Sequence, residues 1–287
     1  MATAREVLWQ PAGAAPLGAR WQALSAAGWM QACAAGRVLS TDRDSAAVRV
    51  EGEAGPWLVK WRAPRAGKGW KQAWRASRER REALGLLAAR ACGIPVPLPC
   101  LVLERRAALG RLTGSVLVRP FVEGLVAADV LLARAGGPGW GRLGASVRGW
   151  HDAGWRHGDC WPKNVLLDEG GLQALPVGAS RWARLAPGPR LDRLRLRDLA
   201  RLLAHAQRHA PPGASAALLA GYAGAAGLPA PEVIEQRLAP MVASVLARRE
   251  ADERTRPARE PHGPPQPIAL PADTAPVQRT ARVLGLA

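Results

Sequence analysis

Cysteine is scarce and unpatterned. Cys33, Cys92, Cys100 and Cys160 make no CxxC pair and keep no regular spacing, which argues against a zinc site and a disulfide framework and suits the reducing cytosol. Long apolar runs are missing as well: no stretch supplies the ~18 uncharged apolar residues that a spanning helix needs. The opening Met1-Ala-Thr-Ala-Arg-Glu-Val-Leu-Trp9 carries Glu6 and no continuous apolar core, so a secretory signal is not expected. Acidic residues are few, 23 Asp and Glu against 40 Lys and Arg, a net charge of +17. That excess points to an anionic partner without choosing among nucleic acid, lipid headgroup, nucleotide and phosphorylated glycan. Part of it reflects Arg replacing Lys in an Ala- and Gly-rich chain. What the chain does have is apolar content: 48% of its 287 residues are hydrophobic, enough to bury a substantial core in one large or two modest domains, which excludes disorder throughout.

Residues 1–36 show weak periodicity and read as a loosely structured lead-in with a short helix within 18–34. From Arg37 the pattern changes. Ala46-Ala-Val-Arg-Val50 and Pro56-Trp-Leu-Val-Lys-Trp61 alternate around a Gly-bearing turn, the mark of a β-hairpin. Residues 70–91 are rich in helix formers, with Leu84, Leu87 and Ala91 at helical spacing before Gly93. Ile94-Pro-Val-Pro-Leu-Pro99 cannot be helical, because each proline holds its predecessor extended. Two strands follow, Leu101-Val-Leu-Glu-Arg105 and Ser115-Val-Leu-Val-Arg-Pro-Phe121. Helices are expected at 125–134, 140–153, 193–209, 214–226 and 231–250, with strands only at 164–167 and 172–175. The expected organisation is therefore α+β and bilobal: a small strand-rich lobe with one helix at 37–123, then a mainly helical lobe at 124–250. Residues 251–287 hold seven prolines and little periodicity and are expected to be a disordered tail. No internal repeat is present.

The string His157-Gly-Asp-Cys-Trp-Pro-Lys-Asn164 stands out, followed by the apolar run Val165-Leu-Leu-Asp168. His-Gly-Asp alone would be only a turn, since Gly and Asp favour turns everywhere. With a helix ahead, Asn164 five residues after Asp159, and a hairpin behind, it matches the catalytic loop of a protein-kinase-like fold. Phosphoryl transfer asks little covalent work of a protein: a carboxylate beside the acceptor hydroxyl and ligands for magnesium on the nucleotide phosphates. Asp159 suits the first task and Asn164 the second. Lys60, at the end of a strand in the upstream hairpin, suits the lysine that pairs with nucleotide phosphates. Glu79 and Glu82 lie three apart on the following helix and share a face; either could orient the lysine.

Together Lys60, Glu82, Gly93-Ile-Pro-Val-Pro97, Gly114-Ser-Val-Leu-Val118 and the segment from His151 to Asp168 resemble the lipopolysaccharide kinases of the Kdo/WaaP (InaA-like) family, over about residues 37–210. The resemblance selects Glu82, eleven residues before Gly93, as the partner of Lys60. It implies that His157 and Lys163 support the catalytic loop and that Asp198, in Arg197-Asp-Leu-Ala-Arg-Leu-Leu203, braces it from a later helix. It further implies ATP and Mg2+ as cofactors, phosphorylation of Kdo or heptose in the lipopolysaccharide inner core, and a cytoplasmic location on the inner-membrane face of a Gram-negative bacterium. Residues 60–81 carry nine Lys and Arg, Glu79 alone among acids, and Trp61, Trp70 and Trp74. That mixture suits an anionic membrane surface or a phosphorylated glycolipid. No nucleic-acid partner is expected.

Two family features are missing. Where members carry an Ile-Asp-Leu-Asp type of string this chain reads Leu175-Pro-Val-Gly-Ala-Ser180, and no carboxylate stands between Glu169 and Asp192. No GxGxxG precedes Lys60 either; Leu39-Ser-Thr-Asp-Arg-Asp-Ser45 occupies that place. The alternatives are thus a pseudokinase that binds nucleotide or glycolipid as a scaffold, and a small-molecule kinase of the aminoglycoside or choline type, which shares the His-Gly-Asp and Asn spacing.

Overall fold

Strand alternation decides which side of the first sheet meets which helix. The computed structural model describes residues 5–10, 24, 26–42, 45–52, 55–62, 75–107, 110–133, 137–168, 174–184, 189–224 and 230–255. The chain divides into two units: the first takes the described residues up to Leu84 together with Pro97–Phe121, the second Gly85–Val96 and Val122–Glu260.

In the first unit, β1 (Arg5–Trp9), β2 (Arg37–Asp42), β3 (Ser45–Val50), β4 (Trp57–Arg62), β5 (Leu101–Arg106) and β6 (Leu112–Pro120) form one antiparallel sheet in the order β1-β5-β6-β4-β3-β2. The odd-numbered residues of β4, Trp57, Val59 and Trp61, are buried with Trp29 and Cys33 of α1 (Ala26–Ala34). Trp29 is completely buried, and a side chain of that size removed from water contributes at least about 2 kcal/mol. The opposite face carries Val102 and Leu117 against Ala83 of α2 (Arg78–Ala91). Helix α2 starts at Ser77, whose Oγ accepts from the Arg80 amide at 2.9 Å while its own amide donates to Glu104 Oε1 at 2.7 Å. It stops at Gly93, φ +75°, where the Gly93 amide donates to Arg90 O and the Ile94 amide to Ala89 O. This paired bonding is the usual glycine-ended helix terminus, and Ile94 is buried in the same core cluster as Ala89.

The second unit is built on α3 (Ala128–Leu132), α4 (Gly137–Asp152), α5 (Pro189–His209), α6 (Ala214–Ala223) and α7 (Pro231–Thr255). Their core includes Trp140, Leu143, Leu199, Leu202, Leu218 and Leu238. Helices α4 and α6 approach backbone to backbone: a Cβ on Gly144 would collide with Leu218 O, and one on Gly221 with Gly141 O. Two small sheets accompany the helices. One orders β10 (Ala174–Pro176), β9 (Val165–Asp168) and β7 (Leu125–Ala127); the other pairs β8 (Trp155–Arg156) with β11 (Ala183–Arg184).

Several expectations change. The lead-in supplies the edge strand β1, which pairs along its whole length with β5. The helix expected from residue 70 begins at Arg78, and residues 63–74, with Trp70 and Trp74, lie outside the described residues. Residues 125–127 are a strand rather than the first turn of a helix, because β9 offers a ladder to join. Helix α7 continues to Thr255, past the expected start of the tail; 256–287 lie outside the described residues. Within the segment 39–45, the described residues belong to the ends of two paired strands, β2 and β3. All four cysteines are free thiols, and among the described residues no helix is long and apolar enough to cross a membrane.

Candidate active site

In the first unit the even-numbered residues of β4 face α2. Register places Lys60 opposite Leu117 and Arg62 opposite Ser115 of β6, while Glu79 and Glu82 share a helix face three residues apart. The two periodicities match, and each glutamate takes one cation. Lys60 Nζ donates to Glu82 Oε2 at 2.6 Å and Oε1 at 2.9 Å; Arg62 Nε donates to Glu79 Oε1 at 2.9 Å and Ser115 Oγ to Glu79 Oε2 at 2.6 Å. Glu82 is 1% exposed, Lys60 26%, so the ammonium reaches solvent from a fixed, buried anchor. Burial pushes the Glu82 carboxyl up, but Lys60, then Arg119 and Arg78, outweigh burial and hold it below the usual range. Arg119 was not anticipated. It is buried on the same face of β6 as Leu117, and burial lowers its guanidinium to about 10 despite Glu82. Its Nε has no hydrogen-bond partner among the described residues. The sequence carries no separate signal for it, since alternation puts Ser115, Leu117 and Arg119 on one face of β6 without marking that face as buried.

In the second unit the loop 157–164 is held from behind by Asp198 of α5. That carboxylate is fully buried; Oδ2 accepts from the His157 amide at 2.8 Å, and both oxygens accept from the Gly158 amide at 3.0 Å. Burial opposes its ionisation, yet His151, His157 and the Gly158 amide keep its carboxyl below the ordinary value. His151 Nε2 lies 3.8 Å from Asp198 Oδ2, and its Nδ1 meets Tyr222 Oη at 2.8 Å. Burial holds His151 below its usual value and raises Tyr222 to about 12, so the hydroxyl stays protonated and donates to a neutral ring. Neither residue belonged to the expected site; His151 was noted only within the family segment. His157 donates from Nε2 to Val177 O at 2.8 Å and accepts the Asp159 amide on Nδ1 at 3.2 Å. This assigns its tautomer and fixes the peptide that carries Asp159.

Asp159 is partly exposed, as is Asn164 at the end of the 3-10 turn Pro162–Asn164. Asn164 Nδ2 donates to Asp159 O at 2.8 Å, which ties the two ends of the loop and turns Oδ1 away from Asp159. Lys163 is exposed on the same turn, and Cys160 is buried beneath it, its thiol pushed well up by burial, an inert packing residue. Trp161 lies under the Arg249 guanidinium of α7, 5.4 Å from the ring centroid.

The family model described as the lipopolysaccharide kinase (Kdo/WaaP) family matches residues 59–222, a span that begins at β4 beside Lys60 and ends at Tyr222. The chain belongs to the Kdo/WaaP lipopolysaccharide kinase family. A solved structure of WaaP in complex with acyl carrier protein aligns with a TM-score of 0.54 at 18% identity, over 88% of this chain and 100% of that one; the likeness is one of fold, a bilobal kinase-like architecture. An aminoglycoside-3'-phosphotransferase of type VIII aligns with a TM-score of 0.46 at 19% identity, over 67% of this chain and 87% of that one. No curated protein matches the sequence. Members of a kinase family use ATP, typically with a divalent metal.

In this Kdo/WaaP chain the described residues do not make a carboxylate-lined magnesium site. Magnesium holds to proteins through one or two carboxylates and otherwise keeps water and phosphate oxygens. Asn164 offers a neutral amide oxygen. The residue beside it is Gly178, φ +72°, where a Cβ would lie 3.0 Å from Asn164 Oδ1. Among the described residues no group of three His, Cys, Asp or Glu could hold a metal ion.

Proposed function

We propose that this chain is an ATP-dependent phosphotransferase acting on a sugar hydroxyl, of Kdo or heptose, in the lipopolysaccharide inner core, at the cytoplasmic face of the inner membrane. The observation that carries the reading is the loop 157–164, in which Asp159 is presented toward solvent on a peptide fixed by His157 and Asn164. Asp159 accepts the proton of the attacking hydroxyl as its oxygen bonds to the γ-phosphorus and the bond to the β,γ-bridging oxygen breaks, releasing ADP. Lys60, oriented by Glu82, supplies a donor and a positive charge to the nucleotide phosphates. Lys163 adds positive charge on the loop, and Asp198 keeps the loop in shape. A net charge of +17 favours an anionic membrane surface carrying a phosphorylated glycolipid.

Transfer of labelled γ-phosphate to purified core lipopolysaccharide tests the reading. Asp159→Asn is expected to lower the rate by about 10²–10⁴. Equal inactivity of wild type and variant over a range of metals would sink the enzyme reading. A second reading, a member that binds nucleotide or glycolipid without transferring phosphate, is favoured by Gly178, which places no side chain beside Asn164 Oδ1.

A further inference from the structure

Resting on the proposed nucleotide-binding role, we infer that this chain takes ATP as the metal-free anion, because Gly178 stands where the protein's carboxylate for a divalent ion would have to begin. The backbone there is tied down by hydrogen bonds. The Val177 amide donates to Asn164 O at 2.8 Å, Val177 O accepts from His157 Nε2 at 2.8 Å, and the Ser180 amide donates to Gly178 O at 2.7 Å. From the other side Gly85 of α2 packs so closely that a Cβ there would lie 2.5 Å from Ala179 O. The segment is pinned to the catalytic loop, and what is missing is a side chain. With Asn164 Nδ2 committed to Asp159 O, the oxygen facing Gly178 is Oδ1. A side chain at position 178 would start 3.0 Å from that oxygen.

Among the described residues no other acid replaces it. Asp159 Oδ2 is on the Nδ2 side of Asn164, 3.5 Å from that nitrogen. Asp168 ends β9 opposite Leu125, four strand residues or roughly 13 Å along the chain from Asn164. Asp198 spends its oxygens on the His157 and Gly158 amides. A hard cation held by one neutral amide gains little over water, whereas the metal-free nucleotide, being more negative than its magnesium complex, is drawn more strongly to a chain of net charge +17.

The test is ATP binding to the full chain by thermal shift and calorimetry, in EDTA and in excess Mg2+, for wild type and Gly178→Asp. Wild-type affinity is expected to fall about threefold or more from EDTA to excess Mg2+, while Gly178→Asp gains roughly tenfold or more from Mg2+; wild-type binding that Mg2+ tightens overturns the inference. Aspartate tolerates a left-handed φ better than most residues, and a circular dichroism melt confirms that the variant folds. If the variant is unfolded, the wild-type comparison decides alone. ATP binding by wild type that EDTA abolishes overturns the inference and leaves the kinase reading standing. No ATP binding under either condition overturns both. Direct Mn2+ titration read by electron paramagnetic resonance on nucleotide-free protein adds an independent arm: no stoichiometric site is expected in wild type and one in Gly178→Asp. A wild-type site lost in Asn164→Ala counts against the inference.

Discussion

Glu82 is a buried carboxylate that neutralises two cations, Lys60 by direct hydrogen bonds and Arg119 through its field. Removing its charge should therefore hurt more than removing the lysine. Glu82→Gln leaves Arg119 buried without an ionised partner and is expected to cost about 3–5 kcal/mol of stability, the usual penalty for breaking a buried pair. Lys60→Met leaves Glu82 facing Arg119 and is expected to cost less than half as much while still depressing phosphate transfer. Urea unfolding of the two variants gives the ranking, and the reverse order would assign Arg119 no part in it. The loop 157–164 is built on the same pattern, one buried acid per cluster of donors: Asp198 serves two backbone amides and lies beside His151.

At the level of elements, helix packing sets a sharp limit on α4 and α6. Gly221→Ala puts a methyl group into Gly141 O, and overpacking of this kind is expected to cost about 1–3 kcal/mol, read as a lowered melting temperature with secondary structure intact. Gly149 has open space around its Cβ position, so Gly149→Ala, on α4, should be neutral or stabilising and serves as the control. Much of this level was legible in the sequence. Alternation located β3 to β6, Gly93 marked the end of α2, and helical spacing put Glu79 and Glu82 on one face of α2, the family resemblance then selecting Glu82 for Lys60. What was not legible depended on partners remote in sequence. Helix α2 starts at Ser77 because Glu104, on β5, takes its amide. Residues 125–127 become a strand only because β9 lies alongside. Arg5–Trp9 has no strong pattern of its own and is a strand by pairing with β5. Arg119 reads in sequence like any strand arginine, and its burial is a property of the sheet's register against α2.

For the whole molecule, pH acts through histidines that folding keeps neutral. Burial, helped by His209 and Arg249, lowers His205 from 6.5 to about 4, and burial lowers His151 in the same direction. The unfolded chain therefore protonates first. The stabilisation is complete above about 6.5 and is lost as pH falls from there toward about 4. Asp198 and Glu82, both depressed, add a second loss at lower pH as the folded carboxylates finally protonate. Denaturant unfolding across this range is expected to show stability falling from pH 6.5 downward, and a His205→Gln variant a shallower slope between 6.5 and 4; a flat wild-type profile would rule the account out.

Both backbone groups of Val177 are engaged by the loop that holds Asp159, its amide with Asn164 O and its carbonyl with His157 Nε2. An outward swing of the segment after β10 therefore has to break two hydrogen bonds to the loop 157–164, which couples the two: loosening either is expected to loosen the other.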